Sequence, residues 1–364
     1  MNVCIIGEGL TALSLAKSLI NKKINVHYYY KSRNSNFSSN RTIGISKSNF
    51  EFFKEKIFQI SKNNYWKINR IEIYTDKIDT ENLLKFENDK NDLFYIIKND
   101  ELLKSLNSNI IKSKFFKKII LKKDINEESL NKKEYDLIIN CDANNFLAKK
   151  YFTKKISKNY YNLAYTTILK HKKIENNTAT QIFTKQGPIA FLPISNTETS
   201  VVYSIDIKNK KFDNSDVIDL INKNNPKYKI NKIDKLNSFE LSSSNLRNYY
   251  HKNILAFGDM LHRVHPLAGQ GFNMTIRDLR ILTKIIEDKI ELGMQLDSLI
   301  LDEFEKKTKD KNFVFSKAID LIYESFNLDK KVQNKSFSKI LKSIGKNKNL
   351  NNYFIKLADT GINF

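Results

Sequence analysis

The densest set of chemically able residues lies between Gly258 and Asp278: Gly258-Asp259, His262, His265-Pro266, Ala268-Gly269-Gln270-Gly271, Asn273 and Arg277-Asp278. Two histidines three apart read first as a metal pair, but no third ligand or acid follows at useful spacing. The glycines suit another task. Ile254 to Phe257 is an apolar run of strand length, and Ile276, Leu279, Leu282 and Ile286 recur at helical spacing. The spacing predicts a strand, a glycine-bearing loop, and a helix beginning near Asn273. Free N–H groups and the positive end of the helix dipole would then face whatever lies in the loop, which makes an anion site. Glycine lets a flat or phosphorylated ligand approach that backbone closely.

The start of the chain carries a second device of this kind. Val3 to Ile6 reads as a strand, GEGLTA follows at residues 7–12, and Leu10 to Ile20 reads as a helix packed on a sheet. Strand, G-x-G-x-x-A and helix form a dinucleotide fingerprint. Gly7 permits the tight turn, Gly9 lets a pyrophosphate approach, and Ala12 allows close helix–strand packing. The next strand, Ile24 to Tyr30, should end in an acid for the ribose hydroxyls. It ends instead in Tyr30-Lys31. A third strand, Leu137 to Ile139, leads to Cys141 and to an acid, Asp142.

These elements imply an α/β protein. Its Rossmann-like nucleotide domain is discontinuous, assembled from residues 1–65, 98–158 and 246–290. Residues 159–245, with 66–97, show the alternation of an antiparallel sheet with one covered face. Trp66 to Tyr74 and Leu93 to Ile97 read as strands crossing into that sheet, and residues 115–134 as an edge hairpin or loop. Residues 291–364 read as a helical region interrupted near Asn327 and Gly345. Its tail hydrophobics, Leu350, Tyr353, Phe354, Ile355 and Leu357, would pack on the body or meet a partner.

Composition bounds the function. Sixty-two Lys and Arg against 40 Asp and Glu give a formal charge of +22 over 364 residues. The lysines are scattered, and no cluster joins a helix-turn-helix, zinc-finger or RNA-binding signature, so no specific nucleic-acid partner is expected. The charge would favour anionic lipid headgroups. Two cysteines, Cys4 and Cys141, fit a reducing, cytoplasmic setting, and each reads as a small buried hydrophobe. No leader peptide or membrane span is read, and neither a G-x-S-x-G elbow nor a P-loop occurs.

GD, then H-x-x-HP-x-AGQG-x-N, then RD resembles the second FAD-binding motif of class A flavoprotein monooxygenases, most closely the branch that hydroxylates ubiquinone precursors. The resemblance implies FAD in a glutathione-reductase-type fold with an inserted antiparallel-sheet substrate domain. It places Gly258 and Asp259 at the ribityl chain. Pro266, Ala268, Gly269, Gln270, Gly271 and Asn273 fall beside the flavin ring. NRTIGIS, residues 40–46, is similar to the family's R-x-I-A-L-S, which puts Arg41 near the cofactor; an ordinary surface arginine is the competing reading. Asn99 matches the family's N-x-x-L helix start, as a helix cap and cofactor-side residue. Asp142 stands where the family has a pyrophosphate-side acid. GPIAFLPI, residues 187–194, resembles its substrate-facing GP-x-A-x-LP. Met260-Leu261, Thr275, Ala143 and Phe146 depart from the family pattern.

The implied reaction is ring hydroxylation of a polyprenylated phenol by O₂ through a flavin C4a-hydroperoxide, with NAD(P)H or a reductase as electron donor. No general base is assigned. His262 and His265 are weak candidates for moving a proton, against a packing role at the helix start. The prenyl tail implies a groove between the two domains, and contact with the inner face of the cytoplasmic membrane or with a biosynthetic complex. The alternative is a degenerate, non-catalytic flavoprotein-fold subunit of such a complex.

Overall fold

The computed structural model describes residues 1–31, 41–75, 82–87, 92–121, 124–125, 130, 135–208, 212–332 and 347–362. The chain opens with β1 (Asn2–Ile6), α1 (Leu10–Asn21), β2 (Asn25–Tyr30), β3 (Thr42–Ser46) and α2 (Lys47–Phe52). Next come β4 (Trp66–Ile68), β5 (Arg70–Thr75), β6 (Leu84–Glu87), β7 (Phe94–Lys98) and α3 (Asn99–Ile110). Then follow β8 (Phe116–Ile120), β9 (Leu137–Asn140) and α4 (Phe146–Tyr151). The long β10 (Lys155–His171) leads into β11 (Thr178–Phe183), β12 (Pro188–Pro193) and β13 (Glu198–Asp206). After α5 (Asn214–Lys223) come β14 (Ile230–Ile233), β15 (Asn237–Leu246), β16 (Tyr250–His251), β17 (Ile254–Ala256) and β18 (His262–Arg263). Three helices come last: α6 (Gln270–Glu291), α7 (Ser298–Val332) and α8 (Lys348–Thr360).

A six-stranded sheet of order β16-β17-β9-β1-β2-β8 carries the nucleotide half. Its centre is parallel, with Val3 opposite both Val26 and Leu137, and Ile254 opposite Ile138. A parallel strand covered on both faces has no solvent side, which explains the unbroken apolar runs NVCII and LIIN. The three signature strands are neighbours although they lie far apart in sequence.

The second sheet has nine strands, β18-β15-β10-β13-β12-β11-β5-β6 with β14 beside β10. A bulge between Asn159 and Asn162 interrupts the pairing of β10 with β15. There Tyr161 takes a positive φ of 56°, held by donation from its N–H to Asn159 Oδ1 at 2.8 Å.

Several boundaries differ from the sequence reading. Phe94–Lys98 pairs with both Thr42–Ser46 and Trp66–Ile68 in a separate three-stranded sheet of order β3-β7-β4, and only β5 and β6 join the substrate sheet. Residues 116–120 form neither hairpin nor loop but an edge strand parallel to β2. Helix α7 runs through Asn327 unbroken, and Gly345 lies outside the described residues. Among the described residues no helix is long and apolar enough to cross a membrane.

Candidate active site

Between the two large sheets lies a cavity of about 1170 Å³. Two helices aim their N-termini at it. Helix α1 starts from Gly9, which has extended backbone (φ −88°, ψ 179°), no side-chain cap, and no acid in the first turn behind it. Helix α6 starts from Gly269 in the left-handed region (φ 64°), again uncapped and without an acid. It begins at Gln270, three residues before the expected Asn273, because the left-handed glycine turns the chain directly into the helix. Gly9, Gly269, Gln270 and Gly271 all line the cavity. Uncapped helix starts leave N–H donors unmet and concentrate positive potential, so the cavity presents two anion sites of the backbone type.

Other predicted residues gather here too. Ala12, Arg41, Asn99, Asp259 and Pro266 line the same cavity. Asn99 is not the helix cap, however: it is the first residue of α3, and Lys98 precedes it without a side-chain capping bond. The side chain of Ala268 lies outside those described. Four predicted residues stand behind the lining. Gly7 makes the turn, its N–H donating to the Tyr29 carbonyl at 3.0 Å, and Gly258 packs at positive φ beside Thr11. Asp142 spends one carboxylate oxygen on the Asn144 N–H at 2.9 Å, and its neighbour Cys141 faces the cavity instead. Asn273 is wholly buried and acts as a clip: it accepts from Ser46 N–H at 2.9 Å and donates to the carbonyls of Gly44 and Gly269. It fixes the loop that faces the ligand.

Cys141, expected to be a buried hydrophobe, is half-buried in the cavity wall. Burial, then Asp259 and Asp142, push its thiol above the usual range, so it stays protonated and is no nucleophile. The two histidines do not converge on a metal. His262 Nε2 meets Asp278 at 2.6 Å, both side chains being fully buried, and Asp278 also accepts from Asn312 at 2.9 Å. Since a carboxylate only accepts, Nε2 carries the proton. His265 turns away from the cavity, stacked on Tyr323 with ring centroids 4.2 Å apart and bonded to Ser204 Oγ at 3.3 Å. Packing thus claims both rings.

Burial, with Lys158 adding to it, pushes His265 from 6.5 down to about 3. The unfolded chain therefore binds one more proton between those values. That stability is present above pH 6.5 and is lost as pH falls towards 3, by up to ~1.4 kcal/mol per pH unit. Denaturant titrations at pH 7 and pH 5 should show a smaller loss for His265→Phe than for the unaltered protein; parallel losses would refute the assignment.

No acid from β2 lines the cavity. Tyr30 ends that strand beneath the Lys118 ammonium, 4.4 Å from its ring centroid, and Lys31 pairs with Asp124 at 3.0 Å. The opposite wall comes from the nine-stranded sheet: Thr166, Gln181, Ala190, Leu192, Val202 and Leu241 face the helix starts. Ala190 and Leu192 belong to the GPIAFLPI segment.

The shape tests the cofactor as well. A Cβ built on Gly9 would meet nothing within 4 Å, so this glycine borders open space sized for a ligand rather than a packed neighbour. Gln270 Oε1 is buried without a hydrogen-bond partner. A pyrophosphate suits the open backbone at Gly9, and a ring N–H donor would suit the unmet Gln270 Oε1.

A family model described as FAD binding domain matches residues 158–307. The ubiquinone biosynthesis monooxygenase COQ6 of Caenorhabditis elegans is 24% identical over 80% of this chain and 78% of its own length. The 3-demethoxyubiquinol 3-hydroxylase of Escherichia coli is 29% identical over 40% of this chain and 39% of its own. The chain thus carries an FAD-binding domain match and is similar to FAD-dependent aromatic monooxygenases. Its fold agrees: p-nitrophenol 4-monooxygenase from Pseudomonas putida superposes with TM-score 0.77 over 100% of this chain and 98% of that one, at 12% identity. Klebsiella pneumoniae HpxO complexed with FAD gives 0.75 over 99% of both chains, also at 12%. Two further COQ6 relatives, from Dictyostelium discoideum and Danio rerio, are spanned over only 50% and 47% of their length. FAD is the cofactor, and Gly9, the start of α6 and Asp259, which line the cavity, are groups that would hold it there.

Proposed function

We propose that this monooxygenase hydroxylates the aromatic ring of a polyprenylated phenol in ubiquinone biosynthesis, with O₂ as oxygen source and NAD(P)H or a reductase as electron donor. The names of the nematode and bacterial relatives support the pathway. One observation carries the chemistry: a single cavity joins two uncapped helix N-termini to a largely apolar sheet wall. Bound FAD supplies oxygen activation and transfer. The chain's own contribution is placement. The α1 N-terminus binds the pyrophosphate, and Asp259 accepts hydrogen bonds from the ribityl hydroxyls. The α6 N–H groups would hold the ring of the cofactor and favour negative charge on it. The sheet wall, with Ala190, Leu192, Val202 and Leu241, excludes water and orients the phenol ring. No side chain is assigned as general base: His262 is committed to Asp278, and His265 faces away.

The prenyl chain partitions into lipid, so the protein works at the inner face of the cytoplasmic membrane, where its +22 charge meets anionic headgroups or a biosynthetic complex. The absence of a β2 acid from the cavity favours the second reading, a non-catalytic subunit. Reduction of the purified, FAD-loaded protein, then exposure to ¹⁸O₂ with 2-farnesylphenol, separates the two. One labelled oxygen on the ring is expected. Flavin reoxidation without product, or failure to take up FAD, would leave the non-catalytic reading standing.

A further inference from the structure

Helix α8 is the element that the proposed reaction does not use. It is tied at both ends. Near its start, Asn351 Nδ2 donates to the Lys85 carbonyl of β6 at 2.8 Å. Near its end, Asp359 Oδ1 accepts from both the N–H and the hydroxyl of Ser48, each at 2.8 Å, and Ser46 Oγ donates to the Asp359 carbonyl at 3.2 Å. The helix therefore spans from the edge of the substrate sheet to α2, beside the flavin loop. Its 13 residues make it about 20 Å long. One face, Phe354, Ile355 and Ala358, lines the cavity.

The same cavity is lined by Ile71 and Ile73 of β5, Phe86 of β6 and Phe94 of β7. These four side chains, like Phe354 and Ile355, are only half-buried. Six large apolar groups from four elements thus leave uncovered surface towards one passage, continuous with the space above the flavin loop. Closed packing would have buried them; a phenol ring alone does not need them.

We propose that this passage holds the prenyl chain of the substrate, and that Phe354 and Ile355 determine specificity for it. The proposal rests on the prenylphenol reading above. Burial of isoprene units against these side chains adds affinity in proportion to apolar area, independently of where the ring reacts. The latch from Asp359 to Ser46 and Ser48 keeps the wall in place.

The test uses FAD-loaded protein and reads ligand affinity from the perturbation of the flavin absorbance by 2-farnesylphenol and, separately, by phenol. The double variant Phe354→Ala/Ile355→Ala should bind 2-farnesylphenol about tenfold more weakly, with phenol affinity unchanged within about twofold. Phe354→Leu, which keeps an apolar body, should retain most of the farnesyl preference, and the melting temperature shows whether each variant is folded. Equal losses for both ligands, no loss for either, or an unaltered protein that binds both alike would overturn the passage. Selective farnesyl binding without any hydroxylated product would refute the proposed reaction and leave the passage standing.

Discussion

Gly9→Val should yield a protein that folds normally and cannot hold its flavin. The backbone at Gly9 is extended, a conformation valine favours, and no protein atom lies within 4 Å of the added Cβ. The melting temperature of the flavin-free protein should therefore stay within about 1–2 °C of the unaltered value. The two added methyls instead occupy the space in which the pyrophosphate meets the start of α1. Loss of that close approach and of its N–H contacts should cost on the order of 3 kcal/mol, or about a hundredfold in FAD affinity. Titration of the flavin-free protein with FAD, read by flavin fluorescence, checks this. Unchanged affinity would mean that the cofactor does not lie on α1.

The second large effect concerns stability. Asp278 is buried and accepts at once from His262 and Asn312. In Asp278→Ala both donors lose their acceptor where no water replaces it, since His262 is 1% exposed and Asn312 8%. Removal of one member of such a buried set costs about 3–5 kcal/mol. The denaturant midpoint should fall accordingly, while Asp278→Asn, which keeps one acceptor oxygen, should lose less. FAD affinity should fall as well, because His262 fixes the strand that leads into the Pro266–Gly271 loop. A midpoint within about 0.5 kcal/mol of the unaltered protein would show the pair to be ornamental.

Much of this was legible in the chain. Three short apolar runs, each ending at a glycine or acid, were enough to assign β1, β9 and β17 to one discontinuous domain, and the structure adds that they are neighbours in its sheet. The limits have equally physical causes. Trp66–Ile68 and Phe94–Lys98 have strand character, but nothing in a short strand states which sheet accepts its hydrogen bonds, and the two pair with each other in the small sheet that β3 completes. At the end of β9 the motif drew attention to Asp142, while the neighbouring residue, Cys141, faces the cavity. Side chains leaving a strand alternate in direction, so an error of one position exchanges inside for outside. Asn273 sits in the right motif with a different task, since an amide has enough donors and acceptors to clip three backbone groups, two on β3 and one in the glycine loop. The cavity face of α8 had one trace, the apolar residues of the tail. Apolarity alone does not distinguish a wall of a ligand passage from an ordinary packed helix.

The adjacency of β1, β9 and β17 also bears on how the molecule is made. The sheet that begins with residues 2–6 is completed only when residues 254–256 have been synthesised and have found β9. Contacts so distant along the chain close slowly. At ribosomal speeds of about 5–20 residues per second, the nascent N-terminal strands wait for tens of seconds with apolar faces uncovered. The start of α6, which lines the cavity, is translated later still. Folding of this chain is thus committed only after most of it has emerged.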